Sequence, residues 1–226
     1  MILLSAFAFT LSCSAQSDTV FNQVDERGLK QGFWKRTMSE NGKTYLYATE
    51  NYKDGKRNGL CTYFFPNGKK EAESYYRNDT LNGLSKVYKD YGGLRYEENF
   101  KDGRTHGFKK YYSVDGELTE EQEYTEGVQT GIYRLYSKGK RIIVESFYIN
   151  GIENGTRKVY SDNDKHEIIR EFDFKNDIKI AARFYKNGKI VKQEKYNYED
   201  GLKKDGELKR KYQTVEGEKT NNQYEE

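Results

Sequence analysis

Few side chains in this chain of 226 residues suit covalent or metal chemistry: there are two Cys and two His. Cys61 lies in Gly59-Leu60-Cys61-Thr62-Tyr63, a strand-like stretch where a thiol reads as a small, half-buried apolar group. A nucleophilic cysteine needs a positioned base, and only His106 and His166 exist to supply one. His106 occupies a position filled by Asn58, Asn82, Thr130 and Asn154 at 24-residue intervals, so it reads as a polar turn residue. His166 closes Asp162-Asn163-Asp164-Lys165-His166, whose Asp-x-Asp lacks the rest of a calcium loop. Glu73, Glu97, Glu121 and Glu145 recur every 24 residues, and Glu171 continues the series. Paired carboxylates hydrolyse glycosides, but a catalytic pair has to differ from its repeats and none of these acids does. They read as a solvated outer face beside Lys and Arg. No phosphate loop, nucleophile elbow or metal-ligand spacing is present. No catalytic residue, metal or cofactor is therefore expected, and the chain reads as a non-enzyme.

The same 24-residue period organises the whole chain. Gly59, Gly83, Gly107, Gly131 and Gly155 form one column, with Gly32 as an earlier copy. A companion turn residue precedes each by four: Gly28, Gly55, Asp79, Gly103, Gly127 and Gly151. Three residues before the companions stand Tyr52, Tyr76, Phe100, Tyr124 and Tyr148, with Phe174 and Tyr198 continuing after a short slip. Five residues after the main glycines stand Phe64, Tyr88, Tyr112, Tyr136 and Tyr160, extended by Tyr185 and Tyr212. Four columns in phase over five copies are the signature of a repeat architecture.

Each copy reads as two strands and two turns. Leu94, Tyr96, Glu98 and Phe100 alternate with Arg95, Glu97, Asn99 and Lys101, the period of a half-buried strand. Asp-Gly and Asn-Gly pairs at 41–42, 54–55, 67–68, 82–83, 102–103, 115–116, 150–151, 187–188 and 200–201 suit type I′ hairpin turns. The expected fold is all-β, an elongated single-layer antiparallel meander of tandem two-stranded hairpins over residues 28–212. The main glycines are expected at the crossings between hairpins, where the backbone takes positive φ. The aromatic columns are expected to stack into cross-strand ladders, leaving one face aromatic and the other charged. The ten aromatics of the two central columns are the candidate binding residues. The structural turn positions are Gly55, Gly59, Gly83, Gly103, Gly107, Gly127, Gly131, Gly151 and Gly155.

Composition narrows the partner. Tyr 21, Phe 12 and Trp 1 are too many rings for a disordered chain. A net charge of +3 with both signs interspersed gives no field for nucleic acid phosphates. Met1 to Ser12 is apolar and uncharged and reads, through residue 15, as an export signal, too short to span a bilayer. Two endings stay open: cleavage after Ala15, or lipidation of Cys13, which would be the only membrane contact. The protein is accordingly expected to be exported to the periplasm, cell surface or medium. Residues 16–27 read as a linker, and 213–226 as an acidic disordered tail. A protein partner is the expected ligand. A glycan or cell-envelope polymer bound on the aromatic columns is the alternative, and exposed end strands leave room for an edge-to-edge homodimer.

The unit G-x-x-x-G-x-x-x-x-Y-x-x-x-G, with an aromatic three residues before its first Gly, resembles the MORN repeat. Tyr52-Lys53-Asp54-Gly55-Lys56-Arg57-Asn58-Gly59 and Phe100-Lys101-Asp102-Gly103-Arg104-Thr105-His106-Gly107 carry the likeness. More narrowly the chain resembles bacterial MORN-variant proteins of the YwqK antitoxin type, over roughly Gly28 to Tyr212. The resemblance implies a non-enzymatic, elongated sheet that binds or scaffolds, and the antitoxin half of a toxin–antitoxin system. An exported immunity protein against a periplasmic toxin is compatible with both the resemblance and the leader.

Overall fold

A computed structural model describes residues 21–201 and 203. The leader with Cys13, Tyr212 and the acidic tail lie outside the described residues. Seventeen strands follow one another. The first part holds β1 (Gln23–Val24), β2 (Lys30–Glu40), β3 (Lys43–Lys53), β4 (Lys56–Arg57), β5 (Gly59–Phe64) and β6 (Lys70–Arg77). The middle holds β7 (Thr80–Tyr88), β8 (Leu94–Lys101), β9 (Arg104–Tyr112), β10 (Leu118–Thr125), β11 (Val128–Tyr136) and β12 (Ile142–Ile149). The last part holds β13 (Ile152–Glu153), β14 (Gly155–Tyr160), β15 (Ile168–Lys175), β16 (Ile178–Lys186) and β17 (Lys189–Lys195). Every pairing is antiparallel between chain neighbours; the two-residue strands β4 and β13 lead into β5 and β14, which pair with β3 and β12. The result is the expected single-layer meander.

Two kinds of turn connect its strands, where one was expected. At one end of the strands, two successive residues take positive φ, as in Asp54-Gly55, Asn78-Asp79, Asp102-Gly103 and Glu126-Gly127. This is the type I′ signature, whose twist matches the flanking strands. At the other end, Asn41-Gly42 and Asn187-Gly188 share this signature, but Gly68 and Gly116 have positive φ while Asn67 and Asp115 do not. Gly68 N–H donates to the Phe65 carbonyl and Phe65 N–H to that of Lys69, which is a type I turn closed by a glycine bulge.

The main glycines are not crossings. Gly83, Gly107 and Gly131 lie inside strands, at β-bulges where the register shifts against the preceding strand. Each also sits opposite a ring of the column before the companion turn: Gly59 faces Tyr76, Gly83 faces Phe100, Gly107 faces Tyr124 and Gly131 faces Tyr148. An added Cβ at these glycines would point away from that ring, toward Asn51, Tyr75, Asn99 and Glu123 respectively, and their positive φ adds local twist. The crossing itself belongs to the companion turn, which also ties successive repeats together. Asp79, Gly103, Gly127 and Gly151 donate their N–H groups to the carbonyls of Arg57, Leu81, Thr105 and Gln129 at 2.7–2.9 Å.

Buried apolar residues are few among those described: Ala48, Cys61, Ile178 and Ala182. The rings are half-buried and cover a floor of small residues instead. Ser74 and Ser85 are buried there with their hydroxyls 2.8 Å apart. Strands begin at Gln23, inside the stretch read as a linker, and end at Lys195, short of the expected boundary. Tyr198–Gly201 is a helical turn rather than a further hairpin. The Asn197 side chain accepts from Glu199 N–H, capping that turn, and Glu199 and Asp200 favour its N-terminus.

Candidate functional site

Successive residues of a strand point to opposite faces, so the register places the two candidate columns on different sides of the sheet. Tyr52, Tyr76, Phe100, Tyr124 and Tyr148 share one face with Cys61, Ser74, Ser85 and Glu98, the tyrosine face. Phe64, Tyr88, Tyr112, Tyr136 and Tyr160 share the other with the glutamate column. The sheet therefore has no aromatic side and charged side; rings and charges are mixed on both.

The columns also do not stack on themselves. Ring contacts involve residues outside the columns: Tyr96 with Tyr111 at 5.8 Å, Tyr133 with Tyr148 at 5.9 Å and Trp34 with Tyr52 at 5.8 Å. Members of one column lie two strands apart, roughly 10 Å, beyond ring contact. On the tyrosine face the rings are held by short bonds to their own strand. Tyr52 Oη donates to Glu50 at 3.0 Å and Tyr124 Oη to Gln122 at 2.5 Å. Burial, aided by the bond to Glu50, pushes the Tyr52 phenol up to about 12. Cations cover several of these rings. Arg57 lies 4.1 Å above Tyr76, Arg157 4.6 Å above Phe174, and Lys109 4.7 Å above Tyr96.

The opposite face carries a feature that the sequence reading missed. Glu73, Lys86, Glu97, Lys110, Glu121, Arg134, Glu145, Lys158, Glu171 and Arg183 are cross-strand partners one after another. This is a ladder of strictly alternating charge across ten strand positions, with opposite charges directly adjacent. The acidic half was legible as a column. The basic half has the same signal, since Lys86, Lys110, Arg134 and Lys158 also recur every 24 residues. Only the register shows that the two interleave.

The second aromatic column serves this ladder. Tyr88, Tyr112, Tyr136 and Tyr185 donate their hydroxyls back to Glu73, Glu97, Glu121 and Glu171 at 2.5–2.7 Å. Where the ladder stops, so does the hydroxyl: Thr49 stands where a further Glu would be, and the ring at that position is Phe64. Burial raises the Tyr88 and Tyr112 phenols, and the neighbouring carboxylates add to the shift. Burial opposes ionisation of Glu73 and Glu171, but bonds from Lys70, and from Tyr185 and Arg183, outweigh it and hold both acids below the usual range.

The His106 position bridges to the next companion turn: Asn82 donates to Asp102 at 3.1 Å, and His106 lies 3.7 Å from Glu126. His166 stacks on Tyr160 at 4.6 Å. Cys61 is fully buried, and burial pushes its thiol up. Among the described residues no group of three His, Cys, Asp or Glu is placed to hold a metal ion. A shallow cleft of about 130 Å³ lies over Leu60, Glu73, Tyr75, Leu84 and Lys86. An open one of about 400 Å³ lies at the β2–β3 tip beside Pro66. Among the described residues no helix is long and apolar enough to cross a membrane.

No protein-family model matches the chain, and no curated protein matches it. Among solved structures it is similar to a complex of accessory secretory proteins 1, 2 and 3 of Streptococcus pneumoniae, at 14% identity and a TM-score of 0.28 over 53% of this chain. It is also similar to a GtfA/B complex bound to UDP and GlcNAc, at 15% identity and a TM-score of 0.24 over 51% of this chain. The match spans 22% of each of those chains.

Proposed function

We propose that this protein is a non-enzymatic, exported binding module whose tyrosine face engages a protein partner. The observation that carries the proposal is the row of half-buried rings, each seated opposite a glycine. Such rings are large, amphipathic and fixed in place, so little side-chain entropy is lost on binding, and Tyr is enriched at protein interfaces. The repeat resemblance extends the proposal to an antitoxin or immunity role, with a toxin as the partner. A sugar stacks on a free ring face. Several faces here already carry Arg or Lys, so the protein reading is better supported than the glycan one.

The test is co-purification of the full chain from its native cell. A stoichiometric partner is expected, and Tyr96→Ala with Tyr111→Ala should lose it while the protein stays folded. Recovery of the protein alone refutes the proposal. For the antitoxin role, a toxic neighbouring gene product should be neutralised on co-expression. Titration with cell-wall fractions should leave the intrinsic Tyr and Trp fluorescence flat.

A further inference from the structure

From the alternating ladder we infer a second copy of this chain as the occupant of the face opposite the tyrosine face, stacked on it about a two-fold axis parallel to the strands. The ladder has an even number of rungs and ends on opposite charges, Glu73 and Arg183. Reversing such a series turns every acid onto a base. A two-fold along the strands performs that reversal; a two-fold across them would set each charge against its own kind. Charge alone therefore selects one isologous geometry.

Three further observations agree with it. Among the described residues, Lys86, Lys110 and Lys158 form no ion pair within 4 Å, whereas Arg134 and Arg183 each bind acids of the ladder. The two-fold brings those three lysines onto Glu171, Glu145 and Glu97 of the second copy. Beside the ladder, Phe147 is 46% exposed, and the same operation sets it over Phe108 of the other copy. Rotation preserves the hand of the sheet twist, so the two stacked sheets twist together and the rungs stay in register along their length. Ten strand positions at about 4.8 Å, three side chains wide, bury roughly 700 Å² per copy, within the range of a standard specific interface.

The dimer leaves the tyrosine face free, so it stands or falls separately from the proposed partner. Sedimentation of the purified full chain at about 50 μM is the direct test. A doubled mass is expected in 50 mM salt, returning toward the monomer near 1 M, where the screening length drops to about 3 Å. Lys110→Glu should weaken association at least tenfold, because it meets Glu145 of the other copy twice. Lys110→Glu with Glu145→Lys should restore it. The two residues lie three strands apart in one chain, so a role confined to folding predicts no rescue. Circular dichroism confirms that each variant is folded; if Lys110→Glu is not, Lys158→Glu with Glu97→Lys replaces it. A wild-type monomer at low salt overturns the inference, as does a folded double variant that stays monomeric.

Discussion

Replacing Gly83 by alanine isolates what a bulge glycine does in this sheet. Gly83 has φ of +114°, and an added Cβ would lie 3.2 Å from the Cβ of Tyr75 and 3.7 Å from its Cγ. Left-handed backbone costs an L-residue about 1–2 kcal/mol. The contact involves the stem of Tyr75 rather than a flexible tip, so the strand must shift, as in an overpacked core, for about 1–2 kcal/mol more. Gly83→Ala should therefore lose roughly 2–4 kcal/mol. Gly116 supplies the control: its φ is +81°, yet nothing lies within 4 Å of the added atom. Gly116→Ala should cost only the backbone term, about 1–2 kcal/mol. Urea unfolding followed by circular dichroism measures both, with unchanged slope as the sign that the native and unfolded states are otherwise the same. Equal losses at the two sites, or a Gly83→Ala protein as stable as the wild type, would refute the packing argument.

Tyr124→Ala should lose about 1–3 kcal/mol, since it removes a half-buried mid-array ring whose hydroxyl bonds Gln122; an unchanged melting temperature would show that this ring is not packed. Tyr136→Phe should cost about 1–2 kcal/mol, because the buried Glu121 loses a 2.7 Å donor; Glu121→Gln should shrink that cost in a double-mutant cycle. In alkali, the folded-state phenols of Tyr52, Tyr133 and Tyr136 are pushed up to about 12 from 10. Their contribution is complete below pH 10 and is lost as pH rises through about 12. Melting should therefore fall across that window, together with a delayed tyrosinate absorbance rise; a single absorbance step near pH 10 in the folded protein would refute this. In acid the sign is opposite. Glu73 and Glu171 are held low by their partners, so stability is complete above their ordinary range and declines as pH drops below it.

Much of this protein follows from local rules. Alternation in Leu94 to Lys101 makes a strand because side chains there see one neighbour face each. Asp102-Gly103 makes a turn because both residues tolerate positive φ. Such signals involve residues close in sequence, and the repeat multiplies them, so strand order and antiparallel pairing were readable. The small helical turn after Lys195 is the exception, where Asn197 caps a segment that continues the aromatic series only in spacing.

The faces were a different matter. Tyr76 and Tyr88 are twelve residues apart, and counting by twos would put them on one side. A turn and a bulge at Gly83 intervene, each able to flip the parity, and the two rings end on opposite sides. Local sequence determined the period, the strands and the turns, because each needs only backbone conformations set by near neighbours. Tertiary pairing alone decided which columns share a face, and so that the glutamates interleave with lysines and arginines into one ladder. The reason is that register belongs to two strands together, and no single strand carries it.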